Sequence, residues 1–129
     1  MNNGRQDNSD KLFENCCAML ELAENDEAVR CFELYLQQNP HDHEAMNFLG
    51  EALYGMNRIA DAIARFKQAI ELFSEFPEAL LSLGDALRRS GQFKEARDAY
   101  STALGFVLPG EEIVGRINNG LDQLSDTQD

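Results

Sequence analysis

Three cysteines, two histidines and 23 carboxylates are the side chains of this chain that could hold a metal, act as a nucleophile or move a proton. Their spacing supports none of these roles. Cys16, Cys17 and Cys31 match no metal-ligand pattern, and the α carbons of adjacent Cys16 and Cys17 would stand about 3.8 Å apart, too close for a disulfide. An odd number of cysteines fits free thiols in a reducing compartment. His41 and His43 flank Asp42 and precede Glu44, but two residues apart across a helix start they hardly share a face, so a surface turn accounts for them and no metal site is expected. There is no glycine-rich phosphate loop, no nucleophile with a base at a readable spacing, and no carboxylate pair isolated among apolar residues. Neither catalysis nor a cofactor is expected.

Charge narrows the partners. The chain has 129 residues and a formal charge of −12, with 3 basic and 11 acidic residues over 1–55, 7 and 7 over 56–104, and 1 and 5 over 105–129. A nucleic-acid binder needs a positive patch to displace condensed counterions, and the most basic block here is neutral. The polar first residues hold no apolar core of signal-peptide length, and no run is long enough to cross a bilayer. A cytoplasmic protein without membrane insertion is therefore expected.

The elements that must position these side chains repeat. Met46, Leu49, Gly50, Ala52, Leu53, Ala62, Phe66 and Ala69 are answered by Leu80, Leu83, Gly84, Ala86, Leu87, Ala96, Tyr100 and Ala103, each pair 34 residues apart. A further step back finds a degraded copy in Leu12, Cys16, Ala18, Met19, Ala28, Phe32 and Tyr35. This period, with small and aromatic residues in these slots, resembles the tetratricopeptide repeat family. Asn15 replaces the leucine and Cys16 the glycine in the first copy, as suits a terminal repeat with no neighbour on one face. Cys16 then reads as a small buried hydrophobe. Asp61 and Glu95 share the period and read as structural repeat residues.

The resemblance implies an all-α fold, an α-solenoid of three antiparallel helix pairs over residues 9–42, 43–76 and 77–110. A polar, disordered lead over 1–8 would precede it, with Ser9 or Asp10 capping the first helix. The residues 24–26, the Asn39-Pro40 boundary, Pro77 and Gly91 punctuate the helices. Gly50 and Gly84 should lie where the two helices of a unit come closest. Residues 111–124 place Ile113, Ile117, Leu121 and Leu124 on one stripe and read as a capping helix, with a frayed tail over 125–129.

In this family the first helix of each unit lines a concave groove that takes a partner peptide. Carried across by the 34-residue register, the groove slots are Phe13, Cys17 and Leu20 in the first unit, with Asp10 and Glu21 beside them. They are Glu44, Asn47, Glu51 and Tyr54 in the second, and Glu78, Leu81, Asp85, Arg88 and Arg89 in the third. Cys17 would face the groove with no neighbouring cation in sequence to lower its pKa. An apolar end at Phe13, Cys17 and Leu20 beside a carboxylate row favours a basic or amphipathic ligand. Heat-shock co-chaperones of similar fold grip acidic carboxylate tails with lysine, asparagine and arginine; the matching slots here hold Phe13, Cys17, Phe48, Glu78 and Ser82, so tail binding of that kind is not expected. Three repeats also resemble, in architecture, the type III secretion chaperones. The expected function is a noncatalytic protein-binding module, adaptor or chaperone-like. The alternative is a self-associating scaffold, a homo-oligomer in which the end of one solenoid stacks on the next or the groove accepts the terminal segment of another copy. The C-terminal stripe discriminates, since covering its own sixth helix goes with a monomer.

Overall fold

The computed structural model describes residues 3–125, with side chains from 8 onward, and among them are helices and no strands. The helices are α1 (Asn3–Glu21), α2 (Asn25–Gln38), α3 (His43–Gly55), α4 (Ile59–Leu72), α5 (Pro77–Arg89), α6 (Phe93–Leu104) and α7 (Glu112–Leu124). They form three antiparallel pairs, α1 with α2, α3 with α4 and α5 with α6, each stacked on the next.

One local device repeats in every pair. After the first helix the chain turns through a residue in the left-handed region, Ala23 (φ 58°), Asn57 (φ 62°) and Gly91 (φ 84°), spaced like the repeats. The next amide then reaches five residues back, from Glu24 to Met19 O, Arg58 to Leu53 O and Gln92 to Leu87 O, each at 2.9 Å. This Schellman closure satisfies the last carbonyls of the first helix. The first turn therefore centres on Ala23, ahead of the position expected, and Asn25 and Asp26 belong to α2.

Within a pair the helices touch where a small residue meets a ring. A β-carbon built on Gly50 would stand 2.5 Å from Cε1 of Phe66, and one on Gly84 2.6 Å from Cε1 of Tyr100. Any side chain there would drive the helices apart. In the first pair the equivalent residues are Cys16 and Phe32, both fully buried. Here the expectation of three free thiols is overturned, because Cys16 and Cys31 form a disulfide between α1 and α2, with α carbons 5.3 Å apart. The close approach that glycine allows elsewhere brings two small sulfur side chains into bonding range. Cys17 stays a free thiol.

The amino-terminal expectation also needs correcting. Helix α1 already runs from Asn3, so residues 3–8 are its first turns, and Ser9 is a buried residue inside it rather than its cap. No proline interrupts this stretch, and the backbone bonds of the helix carry through the polar residues. Residues 1–2 and 126–129 lie outside the described residues; Ser125 ends α7, its hydroxyl donating to Asp122 O at 2.7 Å. Ala18, in the slot of buried Ala52, is exposed.

The first two pairs are joined through Asp42. Its Oδ1 accepts from the amide of Ala45 at 3.1 Å, capping α3, while Oδ2 accepts from the Tyr35 hydroxyl at 2.7 Å. At the far end α7 packs on α5 and α6. Ile117, Gly120 and Leu124 are buried, and Ile113 and Leu121 pack on the same core half-covered. Val114, Ile117, Gly120 and Leu121 stand 34 residues after Leu80, Leu83, Ala86 and Leu87. Helix α7 thus sits where the first helix of a fourth unit would lie.

Candidate functional site

Helices α1, α3, α5 and α7 touch one another in succession, whereas α2, α4 and α6 do not. Convergence of the odd helices puts them on the inner side of the curve. Their free faces form a groove that begins on aromatic carbon and ends on charge.

At the first end, Phe13 is half-buried among rings, with centroids 5.2 Å from Tyr35 and 6.1 Å from Phe48. Cys17 and Leu20 lie half-buried beside it. Burial raises the Cys17 thiol, and the carboxylates of Glu21, Glu44, Asp42 and Glu51 raise it further. Such a thiol is a poor nucleophile at neutral pH.

Further along, the carboxylates divide. Glu44 and Glu78 are exposed, and Glu51 and Asp85 are half-buried. Burial pushes the Glu51 carboxyl up, an effect only partly offset by the Arg116 charge. Asp85 Oδ1 accepts from the Tyr100 hydroxyl and is 3.6 Å from Nη2 of Arg88, whose Nε donates to the same hydroxyl at 3.2 Å. Burial first, and then the bond to Asp85, holds the Tyr100 phenol well above its ordinary range. Arg89 donates to Asn57 Oδ1 at 2.9 Å and lies 5.3 Å from the centroid of the Tyr54 ring. Both arginines, expected to be left free by the core, are tied to the neighbouring repeat turn or to the second helix of their own pair.

Two further groove residues are corrected. Asn47 and Leu81, expected on the open face, are each 2% exposed. Stacking explains this, because the first helix of a pair packs on its own second helix and on the preceding pair, so it buries a wider stripe than one pair requires. Asn47 donates to Glu51 Oε2 at 3.1 Å, and its Oδ1 has no partner among the described residues.

The register reading missed Arg116. With Glu51, Tyr54, Gly55, Phe66, Ser82 and Asp85 it lines a pocket of about 190 Å³ between α3, α5 and α7. The signal was present, because Phe48, Ser82 and Arg116 are successive 34-residue steps; that sum stopped at the third unit. Among the described residues no three His, Cys, Asp or Glu side chains meet in an arrangement that would hold a metal. The His43 ring packs on Phe73 and Phe76, at 4.8 and 5.2 Å, and His41 is exposed. No helix among them is long and apolar enough to cross a membrane.

Against known proteins, residues 17–55 and 49–107 match the model of a tetratricopeptide repeat family. The peroxisomal targeting signal receptor of Candida glabrata is 34% identical over 91 residues, which is 69% of this chain and 15% of the receptor. The chain thus spans about a seventh of that relative. Among solved structures, the Yersinia enterocolitica type III secretion chaperone SycD, in complex with a peptide of the translocator YopD, superposes with a TM-score of 0.86 at 16% identity over 92% of each chain. The first repeat domain of Spaghetti (RPAP3), bound to the HSP90 peptide SRMEEVD, does so with 0.80 at 18% identity over 92% of this chain and 94% of that one.

Proposed function

The chain belongs to the tetratricopeptide repeat family, whose members compared above are protein-interaction modules, and from that premise we propose that it is a noncatalytic adaptor or chaperone-like module. Its groove takes an extended or helical partner segment. The segment it favours is amphipathic and basic. One observation carries this preference: Arg88 and Arg89 are engaged within the fold, so against exposed Arg116 the charge left for a partner is that of Glu44, Glu51 and Glu78.

Ligand charge separates this chain from the neighbour that holds an acidic peptide. Carboxylates brought out of water need cationic or hydrogen-bonding partners, and an acidic tail supplies neither. Packed pairs fix the curve in advance, so ordering costs fall mainly on the partner segment. No nucleic acid is among the proposed partners. The stripe of Ile113, Ile117, Leu121 and Leu124 packs on its own α5 and α6, which supports a monomer over the self-associating alternative.

The test is capture of partners from the native cell's lysate with wild type beside a Glu44→Lys, Glu78→Lys variant, both residues being exposed and outside the core. A protein held by wild type and lost by the folded variant supports the groove; identical retention overturns it. The setting proposed is cytoplasmic, and the Cys16–Cys31 disulfide argues against it, since cellular thiols there would hold the pair reduced. Trapping their oxidation state at lysis tests that setting, and a fully oxidised pair would reject it.

A further inference from the structure

The pocket between α3, α5 and α7 holds a half-buried carboxylate, Glu51, between aromatic walls. Glu51 is half-buried and pinned from behind by the Asn47 amide at 3.1 Å. Asn47 is 2% exposed, and with its amide nitrogen committed to Glu51 its Oδ1 has no donor among the described residues. Asn47 Oδ1 is thus a buried acceptor without a donor behind the pocket wall, which is costly away from water. Glu51, already accepting from the Asn47 amide, keeps lone pairs for a further donor from the pocket side. The neighbouring cation meets the need only in part. Arg116 lies exposed at the pocket and makes no ion pair with Glu51 among the described residues, while Arg88 is spent on Asp85 and Tyr100.

Size and walls narrow the occupant. About 190 Å³ is below the roughly 300–1,000 Å³ of a site for a drug-sized ligand, so the space suits one side chain. Tyr54 and Phe66 offer carbon for an aliphatic stem, and Glu51, Ser82 and Asp85 offer oxygen acceptors. A carboxylate or phosphate would meet two carboxylates inside and find, among the described residues, only Arg116, exposed at the edge, as a counter-charge. An apolar side chain would exclude water from Glu51 and return nothing for its charge.

We propose that this pocket anchors one lysine or arginine side chain of the partner segment, the cation pairing with Glu51, and that Arg116 is a like-charged gate at its edge. The assignment rests on the groove reading above and adds its specificity-determining contact. Two variants should act in opposite directions. Glu51→Gln removes the counter-charge and keeps an acceptor for Asn47, so cation binding falls by about tenfold, the usual scale for a charge-assisted bond. Arg116→Ala removes the repulsion, and binding tightens.

The experiment is an amide-resolved NMR titration at physiological salt, which screens loose surface attraction. The probes are Nα-acetyl-arginine amide and Nα-acetyl-lysine amide, with the norleucine and glutamate amides as controls. The expected result is shifts at Glu51, Tyr54, Ser82, Asp85 and Arg116 from the cationic probes alone, weakened in Glu51→Gln and strengthened in Arg116→Ala, with circular dichroism unchanged in both. Equal shifts from the norleucine amide, or cation-induced shifts that survive Glu51→Gln, overturn the assignment. A captured partner lost by the Glu44→Lys, Glu78→Lys variant yet held equally by wild type and Glu51→Gln would leave the groove standing and remove this anchor.

Discussion

Gly120 on α7 lies against the ring of Tyr100 on α6: a β-carbon built on Gly120 would stand 2.5 Å from Cζ and 2.8 Å from the hydroxyl oxygen. Gly84 on α5 meets the same ring, and the hydroxyl is fixed between Asp85 and Arg88. Tyr100 is fully buried and has little freedom to move aside. This makes α7 part of the last pair's core.

Two glycines of α7 should therefore respond oppositely. Gly120→Ala overpacks against Tyr100 and is expected to cost about 1–3 kcal/mol despite the better helix propensity of alanine. Gly115 has nothing within 4 Å of a built β-carbon, so Gly115→Ala should gain up to about 1 kcal/mol. Urea unfolding of both variants checks the pair, and equal shifts would mean that α7 does not dock on Tyr100.

The left-handed turns make a second pair. Ala23 holds φ 58° where the third repeat has Gly91 at 84°. The side chain of an L-residue costs roughly 1–2 kcal/mol in this region, so Ala23→Gly should stabilise and Gly91→Ala should destabilise, each by about 1 kcal/mol after chain-entropy offsets. Midpoints that move the same way would contradict this account.

Glu51 ties stability to pH. Burial raises its carboxyl in the folded protein above 4.5, its ordinary value, so the folded state holds the proton more tightly than the unfolded chain. Its contribution is thus fully present below pH 4.5 and lost as pH rises through the raised value. Asn47 beside it, Asp85 across the pocket and Arg116 on α7 share this environment. Glu51→Gln should accordingly raise Tm at pH 7, with the gain fading as acid protonates the wild type. A difference in Tm that stays constant from neutral pH into acid would show that the carboxylate's desolvation is not its source.

The cysteines should behave as two kinds. The Cys16–Cys31 bond closes a 15-residue separation, for which the chain-entropy model gives about 3 kcal/mol of stabilisation. Reduction should lower Tm, and the oxidised protein should weigh two hydrogens less. Cys17, its thiol raised by burial and by nearby carboxylates, should alkylate slowly at neutral pH until the protein is unfolded. Rapid labelling of native Cys17 would argue against that environment.

Loss of the joint at Asp42 should be felt in two repeats. Asp42→Ala removes a cap worth about 1 kcal/mol and leaves the largely buried Tyr35 hydroxyl without its acceptor, for a combined cost of roughly 2–3 kcal/mol. Tyr35→Phe should cost less, because the cap survives. Denaturant midpoints in the reverse order would overturn the shared role.

Much of this molecule is local and periodic, and such features can be read from the chain. The 34-residue recurrence set out three helix pairs and the Gly50 and Gly84 contacts, and helical spacing set out the apolar stripe of α7, because each depends on residues within one or two turns or one repeat step. What needed the tertiary structure depends on how helices meet. Cys31 stands beside Cys16 only once α2 folds back on α1. Asn47 and Leu81 leave the groove because stacking buries a stripe that a single pair would expose. Arg88 and Arg89 find acceptors on other helices and turns, and Arg116 enters the groove from a helix beyond the third repeat. Periodicity orders side chains along each helix, and only the packing of one helix on another determines which of them remain free.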